Sequence, residues 1–206
     1  MTGLILYTNP MSRGRVARWM LEEVGVPYEA VIVAFGRNRA PDYLALNPMG
    51  KLPTLTHGKT VVTEAAAICA YLADAFPQAG LAPPPAERGA YYRWLFFAAG
   101  PVEAATTNKS FGFQLPEGGG RMAGYGSYEA TLDALEYAVS QTDYIAGDRF
   151  TAADVYVGSQ IGFGLQFGSM EKRPAFERYW ARLGDRPACV KAKAIDDALM
   201  PARPAS

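Results

Sequence analysis

An α/β domain followed by an all-α domain is the fold class that this 206-residue sequence predicts. Strand and helix patterns follow the order β-α-β-α-β-β-α over residues 1–77, a proline-rich stretch fills 78–86, and no convincing strand comes after it. We therefore expect an α/β domain at 1–77, a linker at 78–86 and an all-α helical bundle at 87–206.

The predicted elements of the first domain are bounded by local stop signals. Residues 4–8 are β-prone and end at Asn9-Pro10, and Gly25 stops the first helix. The remaining predicted elements are a strand at 28–33, a short helix at 41–46, a hairpin of strands at 54–57 and 60–63, and an alanine-rich helix at 64–76. A strand-helix-strand unit followed by a hairpin and a helix predicts a mixed sheet with helices on both faces, and this order resembles a thioredoxin-like domain.

After the linker the sequence predicts helices only. An aromatic-rich helix spans about 87–109 and is kinked or restarted at Pro101, and six glycines between 111 and 126 predict a flexible loop. Thr151 with Asp154 three residues later predicts a capped helix start. Further helices are expected at 128–139, about 173–183 and 187–199.

Composition excludes several classes of function. Twenty basic residues balance 20 acidic ones, which argues against a nucleic-acid partner or an anionic membrane held by bulk charge. Cys69 and Cys189 lack metal-like spacing, so no metal site is expected, and the single histidine, His57, makes a Ser-His-Asp triad improbable. Since no apolar run reaches 18 residues and the N-terminus lacks a secretory signal pattern, we expect a soluble cytoplasmic protein.

The most informative motif lies where the predicted hairpin begins. Residues 47–55 form a polar turn that leads through Leu52-Pro53 into a strand, and Glu64 lies at the start of the next helix. A proline at the first residue of a strand, in the cis form that only X-Pro bonds adopt at modest cost, leaves the preceding backbone groups free to pair with an extended peptide. Glu64 and the unpaired amides of the helix start are suited to the charged end of that peptide.

These features together resemble a cytosolic glutathione transferase over the whole chain, with a serine-type turn like that of bacterial members and no assignable class. The matching segments lie at 6–10, 47–55, 64–74 and 147–154, and they are specific only jointly, in this order and spacing. The resemblance implies glutathione as co-substrate, no metal, and a homodimer as the habit of the family.

The resemblance also implies the roles of individual residues. The backbone of Leu52, next to cis-Pro53, would bond the cysteinyl part of glutathione, and Lys51 would face its glycine carboxylate. Arg37 lies in a loop that in the family can reach the same carboxylate. Glu64 and the residue after it, Ala65, would hold the γ-glutamyl end.

Position 65 departs from the family pattern, in which Ser or Thr follows the acidic residue and bonds the γ-glutamyl carboxylate. Ala65 retains only the backbone N–H. A hydroxyl bond to a charged group contributes about 1.5–3 kcal/mol, so its loss is expected to lower glutathione affinity by about tenfold or more.

The catalytic position is expected in the turn between the first strand and the first helix. A thiol of pKa about 8.5 needs a donor or a helix N-terminus directed at its sulfur to ionise near neutral pH. This turn, residues 9–12, contains no cysteine, which excludes dithiol exchange there. Ser12 is the preferred donor, Asn9 the second candidate because its amide can also donate to a thiolate, and Tyr7 a distant third. The alternative role of Ser12 is to cap the first helix.

The leading functional hypothesis is an enzyme that conjugates the thiolate of glutathione to small hydrophobic electrophiles held by the helical domain. One alternative is a glutathione-dependent peroxidase or disulfide reductase, in which the attacking sulfur comes from glutathione itself. The other is a non-catalytic binding protein that keeps the fold, which Ala65 and the ambiguous Ser12 and Asn9 motivate.

Overall fold

The computed structural model describes residues 3–200, which divide by their contacts into two units. The first unit joins the residues up to 79 to those from 186 onward, and the second spans 80–185. The sequence places 187–199 in the helical domain, whereas the last helix contacts the first unit. The physical reason lies in its ion pairs with the first helix, which are described below.

The first unit contains the mixed sheet that the sequence predicts. Its strands are β1 Leu4–Thr8, β2 Glu29–Ile32, β3 Thr54–His57 and β4 Thr60–Thr63. They are arranged β2-β1-β3-β4, with β1 parallel to β2 and antiparallel to β3, and β3 antiparallel to β4. A parallel β-α-β unit joined to an antiparallel hairpin confirms the thioredoxin-like arrangement.

The helices follow the predicted order with boundaries within a few residues. They are α1 Gly14–Val24, α2 Pro41–Leu44, α3 Ala65–Ala75, α4 Gly89–Phe97, α5 Glu103–Ser110, α6 Tyr128–Val139, α7 Ala152–Phe167, α8 Pro174–Gly184 and α9 Pro187–Ala198. Gly25 ends α1 in the left-handed conformation, at φ 73°, and its N–H donates to the carbonyl of Leu21. This is the glycine C-cap that the sequence predicts.

Close packing between β1 and α1 fixes the turn that joins them. A Cβ added to Gly14 would lie 1.8 Å from Oγ1 of Thr8, so only glycine fits at the first residue of α1. The hydroxyl of Thr8 is buried without a hydrogen-bond partner among residues 3–200. The start of α1 is therefore held close against the end of β1, and the five residues between them, 9–13, have little freedom.

The second unit is helical. A π-helical turn at Ala98–Val102 contains Pro101 and separates α4 from α5, since proline lacks the N–H that a continuous helix needs there. Residues 111–126 form the predicted loop, with one short 3-10 turn at Gly119–Arg121. α7 is buried on nearly all sides over its first turns, so it occupies the centre of this unit.

A buried carboxylate begins α7. Thr151 and Asp154 form the predicted capping box, and Asp154 is fully buried. One carboxylate oxygen accepts the N–H (2.8 Å) and the hydroxyl (2.9 Å) of Thr151. The other accepts the N–H of Ile145 (2.7 Å) and the hydroxyl of Tyr179 (2.7 Å). Asp154 therefore connects the preceding loop, the start of α7 and α8.

Among residues 3–200, no helix has both the length and the apolar character needed to cross a bilayer.

Candidate active site

The strand register brings three predicted site segments to one end of the sheet. Tyr7 lies opposite Thr54, and Thr54 lies opposite Thr63. The chain therefore leaves β1 into the turn 9–12 at the same end at which Leu52-Pro53 enters β3. Residue Glu64, which directly follows β4, lies at that end as well.

The loop after β2 leaves the sheet at the same end, because β1 and β2 are parallel and Thr8 pairs with Ile32. The side chain of Asn38 in this loop donates to the carbonyl of Gly50 at 2.7 Å, and Arg39 donates to the carbonyl of Met49 at 3.2 Å. These two bonds fix the loop next to the segment that precedes Lys51. No local pattern in the sequence predicts these two bonds.

Asn9 is the most constrained residue of the turn. Its side chain is 6% exposed, its Nδ2 donates to the carbonyl of Val33 at 3.0 Å, and its Oδ1 accepts the N–H of Met11 at 2.9 Å. The amide therefore joins the turn to the end of β2, and the Asn9 side chain has a structural task independent of any ligand.

Ser12 is half-buried, and its hydroxyl is engaged inside the turn. The hydroxyl donates to the carbonyl of Asn9 at 2.7 Å and accepts the N–H of Gly14 at 3.0 Å. It thus satisfies the N–H of Gly14, the first residue of α1, from one position before the N-cap residue, Arg13. This bond is related to the capping role set out as the alternative, but Ser12 is not itself the N-cap. A hydroxyl carries one proton, so donation to a sulfur requires rotation away from Asn9, and the bond from Gly14 can persist during that rotation.

Tyr7, the third candidate, belongs to β1. Its half-buried ring meets the ring of Tyr43 edge-on, with centroids 6.2 Å apart.

The segment that precedes β3 has an available backbone edge. The Leu52-Pro53 bond is cis, as predicted, and Pro53 is buried. Among the described residues, neither the N–H nor the carbonyl of Leu52 forms a hydrogen bond. The side chain of Lys51 is exposed. A free N–H and carbonyl on one residue at a sheet end can pair with an extended peptide.

Two buried polar side chains hold this segment in place, and neither was predicted from the sequence. The hydroxyl of Tyr43 donates to the carbonyl of Lys51 at 2.7 Å, and Nδ2 of Asn47 donates to the same carbonyl at 2.9 Å. Burial raises the pKa of Tyr43, so its hydroxyl stays protonated as a donor. Asn47 could have been recognised as the polar residue that opens the Asn-Pro turn, but Tyr43 reads as an ordinary aromatic residue of α2.

Glu64 has an unusual backbone. It is the one non-glycine residue among those described with a positive φ, 67°. Such a conformation costs on the order of 1–3 kcal/mol and occurs chiefly where a site requires it. Its side chain is exposed, and Ala65, the first residue of α3, is buried. The conformation of Glu64 turns the chain so that the first amides of α3 follow it directly at the sheet end.

Arg37 has a competing partner. Its guanidinium lies 3.2 Å from the carboxylate of Asp42, and both side chains are well exposed. An exposed pair contributes only about 0–1 kcal/mol, so it leaves Arg37 able to exchange partners. The predicted contact of Arg37 with a ligand carboxylate stays a prediction.

The two cysteines lie away from this site. Cys69 is buried in α3, where burial raises the pKa of its thiol, and Cys189 is buried in α9. Among residues 3–200, no group of three or more His, Cys, Asp or Glu side chains is placed to hold a metal ion. In the part described, the chemistry of this sheet end therefore rests on backbone groups, hydroxyls and charges.

Comparison with known proteins gives consistent results. The model of the glutathione S-transferase N-terminal domain matches residues 2–74, and that of the C-terminal domain matches 126–187. Glutathione S-transferase 3 of Zea mays is 30% identical over 211 residues, which cover 94% of this chain and 95% of that protein.

Solved structures agree. A glutathione transferase from Methylococcus capsulatus superposes with a TM-score of 0.78 at 28% identity, covering 95% of this chain and 99% of the other. A theta class glutathione S-transferase from Xanthomonas axonopodis pv. citri, with glutathione bound, superposes with a TM-score of 0.72 at 29% identity. The match covers 93% of this chain and 97% of the other.

Proposed function

Because the chain belongs to the glutathione S-transferase family, we propose that it binds glutathione along Leu52 and joins it, through its sulfur, to small apolar electrophiles. The observation that carries this proposal is the convergence at one sheet end of a free backbone edge at Leu52, the helix start behind Glu64 and the turn 9–12. A peptide that pairs with Leu52 extends towards both of the other segments.

Glutathione itself supplies the nucleophile of this reaction. The thiol loses its proton to solvent, the thiolate attacks an electrophilic carbon, a C–S bond forms, and the leaving group departs with its electron pair. The protein contributes position and a donor that stabilises the thiolate. The second unit exposes the rings of Phe96, Phe111 and Phe113, a composition suited to apolar substrates. A homodimer and a cytoplasmic location complete the proposal.

Calorimetry with glutathione, followed by conjugation of chlorodinitrobenzene, tests this function. Binding with turnover supports it, and binding without turnover favours a non-catalytic protein. That second candidate has a specific basis, since the Ser12 hydroxyl and the Asn9 amide both have partners within the turn. Turnover of cumene hydroperoxide or a mixed disulfide alone favours a peroxidase or reductase.

Replacing Ser12 by alanine is expected to lower kcat/KM for conjugation by at least about tenfold, since about 1.4 kcal/mol of transition-state stabilisation is lost with the donated hydrogen bond. Ser12→Thr keeps the hydroxyl and is expected to retain most of the rate. Thermal unfolding of both variants controls for the lost bond to Gly14. A Ser12→Ala enzyme as fast as the parent would move the catalytic role to Asn9.

Replacing Ala65 by serine is expected to tighten glutathione binding by about tenfold, because the new hydroxyl can bond the γ-glutamyl carboxylate. Ala67→Ser is the matched control, since Ala67 lies two residues further along α3 and is exposed. Calorimetric Kd values decide the outcome. Equal affinities for the Ala65→Ser and Ala67→Ser proteins would contradict the placement of the γ-glutamyl end at residue 65.

A further inference from the structure

Arg15 connects the turn 9–12 to the last helix of the chain. Its Nε donates to the carbonyl of Pro10 at 2.5 Å, and its Nη1 lies 2.8 Å from a carboxylate oxygen of Asp197 in α9. The side chain of Arg15 is 22% exposed, so these contacts are partly shielded from water. Through Arg15, a residue near the end of the chain reaches the backbone of the predicted catalytic turn.

This contact is one of a series. The ion pairs between α1 and α9 are Arg15–Asp197 (2.8 Å), Arg18–Asp196 (2.9 Å), Glu22–Lys191 (2.7 Å) and Glu23 with Arg186, which precedes α9 (2.7 Å). They follow one another in antiparallel order. Arg15, Arg18 and Glu22 are three and four positions apart along α1, and Glu23 directly follows Glu22.

The charges run against the dipole of each helix. α1 carries Arg15 near its positive N-terminus, and α9 carries Asp196 and Asp197 near its negative C-terminus, positions that a lone helix disfavours. Their placement is favourable only because each helix supplies the counter-charges of the other. The Arg15–Asp197 pair is therefore a feature of the assembled unit rather than of either helix.

We propose that Arg15, held by Asp197, is a positioning residue that fixes the Pro10 carbonyl and thereby the orientation of Asn9 and Ser12. Its role in catalysis rests on the proposed function. The planar guanidinium suits this role because Nε and Nη1 donate in two directions at once, which a lysine ammonium on a single flexible stem does not reproduce. Without Asp197 the guanidinium is free to leave Pro10 for solvent.

Amide hydrogen exchange tests the link without requiring activity. In Asp197→Asn and Arg15→Gln, the amides of Met11 and Ser12 are expected to exchange about tenfold faster than in the parent protein. Lys191→Gln is the matched control, because Lys191 also pairs across α1 and α9 and is 67% exposed against 50% for Asp197. In Lys191→Gln, the amides of Met11 and Ser12 are expected to exchange at the same rate as in the parent protein.

Kinetics test the catalytic consequence. Asp197→Asn and Arg15→Gln are expected to lower kcat for conjugation about fivefold or more, with the KM for glutathione little changed, and to raise the pKa of the bound thiol seen in the pH profile. Asp197→Glu should restore the rate and Arg15→Lys should not. Lys191→Gln should match the parent.

The outcomes separate this inference from the proposed function. A parent protein that neither binds nor conjugates glutathione overturns the proposed function, and exchange at Met11 and Ser12 still decides the link to Asp197. Equal exchange in Asp197→Asn, Lys191→Gln and parent overturns the inference even where conjugation is observed. Faster exchange with an unchanged kcat overturns the catalytic part.

Discussion

Replacing Asp154 by alanine is expected to lower the free energy of unfolding by about 3–5 kcal/mol, because buried hydrogen-bond donors in three segments lose their acceptor. The N–H groups of Ile145 and Thr151 lose their acceptor, and so do the hydroxyls of Thr151 and Tyr179. Chemical denaturation, followed by circular dichroism, measures the difference.

Two further variants sharpen that experiment. In Asp154→Asn one carboxylate oxygen becomes an NH2 group, so at least one backbone N–H loses its acceptor and an intermediate loss of about 1–3 kcal/mol is expected. Asp148→Ala removes an exposed carboxylate nearby and should change stability by less than about 0.5 kcal/mol. Equal effects of Asp154→Ala and Asp148→Ala would show that the carboxylate of Asp154 is not buried in solution.

Asp154 also predicts a pH dependence. Burial raises its pKa above the ordinary carboxyl value, against the lowering effect of its hydrogen bonds. The folded state then holds the proton more tightly than the unfolded chain. The contribution of this group to stability therefore falls as the pH rises from the ordinary value through the raised one. Asp154→Asn should lack this component.

Breaking the Arg18–Asp196 pair is the second large effect that we expect. The side chains are 2% and 0% exposed, and the carboxylate lies 2.9 Å from Nε of Arg18. Asp196→Ala leaves a buried guanidinium without its counter-charge, which is expected to cost about 3–5 kcal/mol of unfolding free energy. The second bond of Arg18, to the hydroxyl of Tyr28 at 3.2 Å, cannot replace that charge.

Replacing both partners should cost less than removing one. Among residues 3–200, Nη2 of Arg18 and Oδ2 of Asp196 form no hydrogen bond. The free-energy cost of removing the two charges from water is therefore only partly offset. Arg18→Met combined with Asp196→Leu is therefore expected to recover most of the stability that Asp196→Ala loses. The exposed Arg37–Asp42 pair is the control, and Arg37→Ala should cost about 0–1 kcal/mol. A double variant as unstable as Asp196→Ala would contradict this account.

Local signals explain what the sequence predicted well. The Gly25 cap, the Thr151–Asp154 box and the strand start at Pro53 depend on residues a few positions apart, and each was found where expected. Signals of this kind predict the element order and the thioredoxin-like sheet. The family was predicted from its resemblance to the segments 6–10, 47–55, 64–74 and 147–154, taken together. The strand register of the structure then shows that Leu52 and Glu64 lie at the same end of the sheet.

Contacts between distant residues explain what the sequence did not predict. Arg18 and Asp196 are 178 positions apart, and no spacing rule connects them. The hydroxyl of Tyr43 reaches Lys51 only because α2 folds back against the start of β3. The inward orientation of the Asn9 amide likewise depends on Val33, which directly follows β2. The roles of Ser12, Asn9, Lys51 and Arg37 towards a ligand stay predictions for the experiments above.

The position of α9 has a consequence for biosynthesis. A ribosome delivers α1 before the whole second unit and α9 after it. Until α9 emerges, four charged residues of α1 lack their partners in or just before α9: Arg15, Arg18, Glu22 and Glu23. The nascent first unit therefore carries charges of both signs on α1 without these partners. The first unit is therefore expected to become resistant to protease only after α9 has emerged, which pulse-labelled, stalled chains of increasing length would reveal.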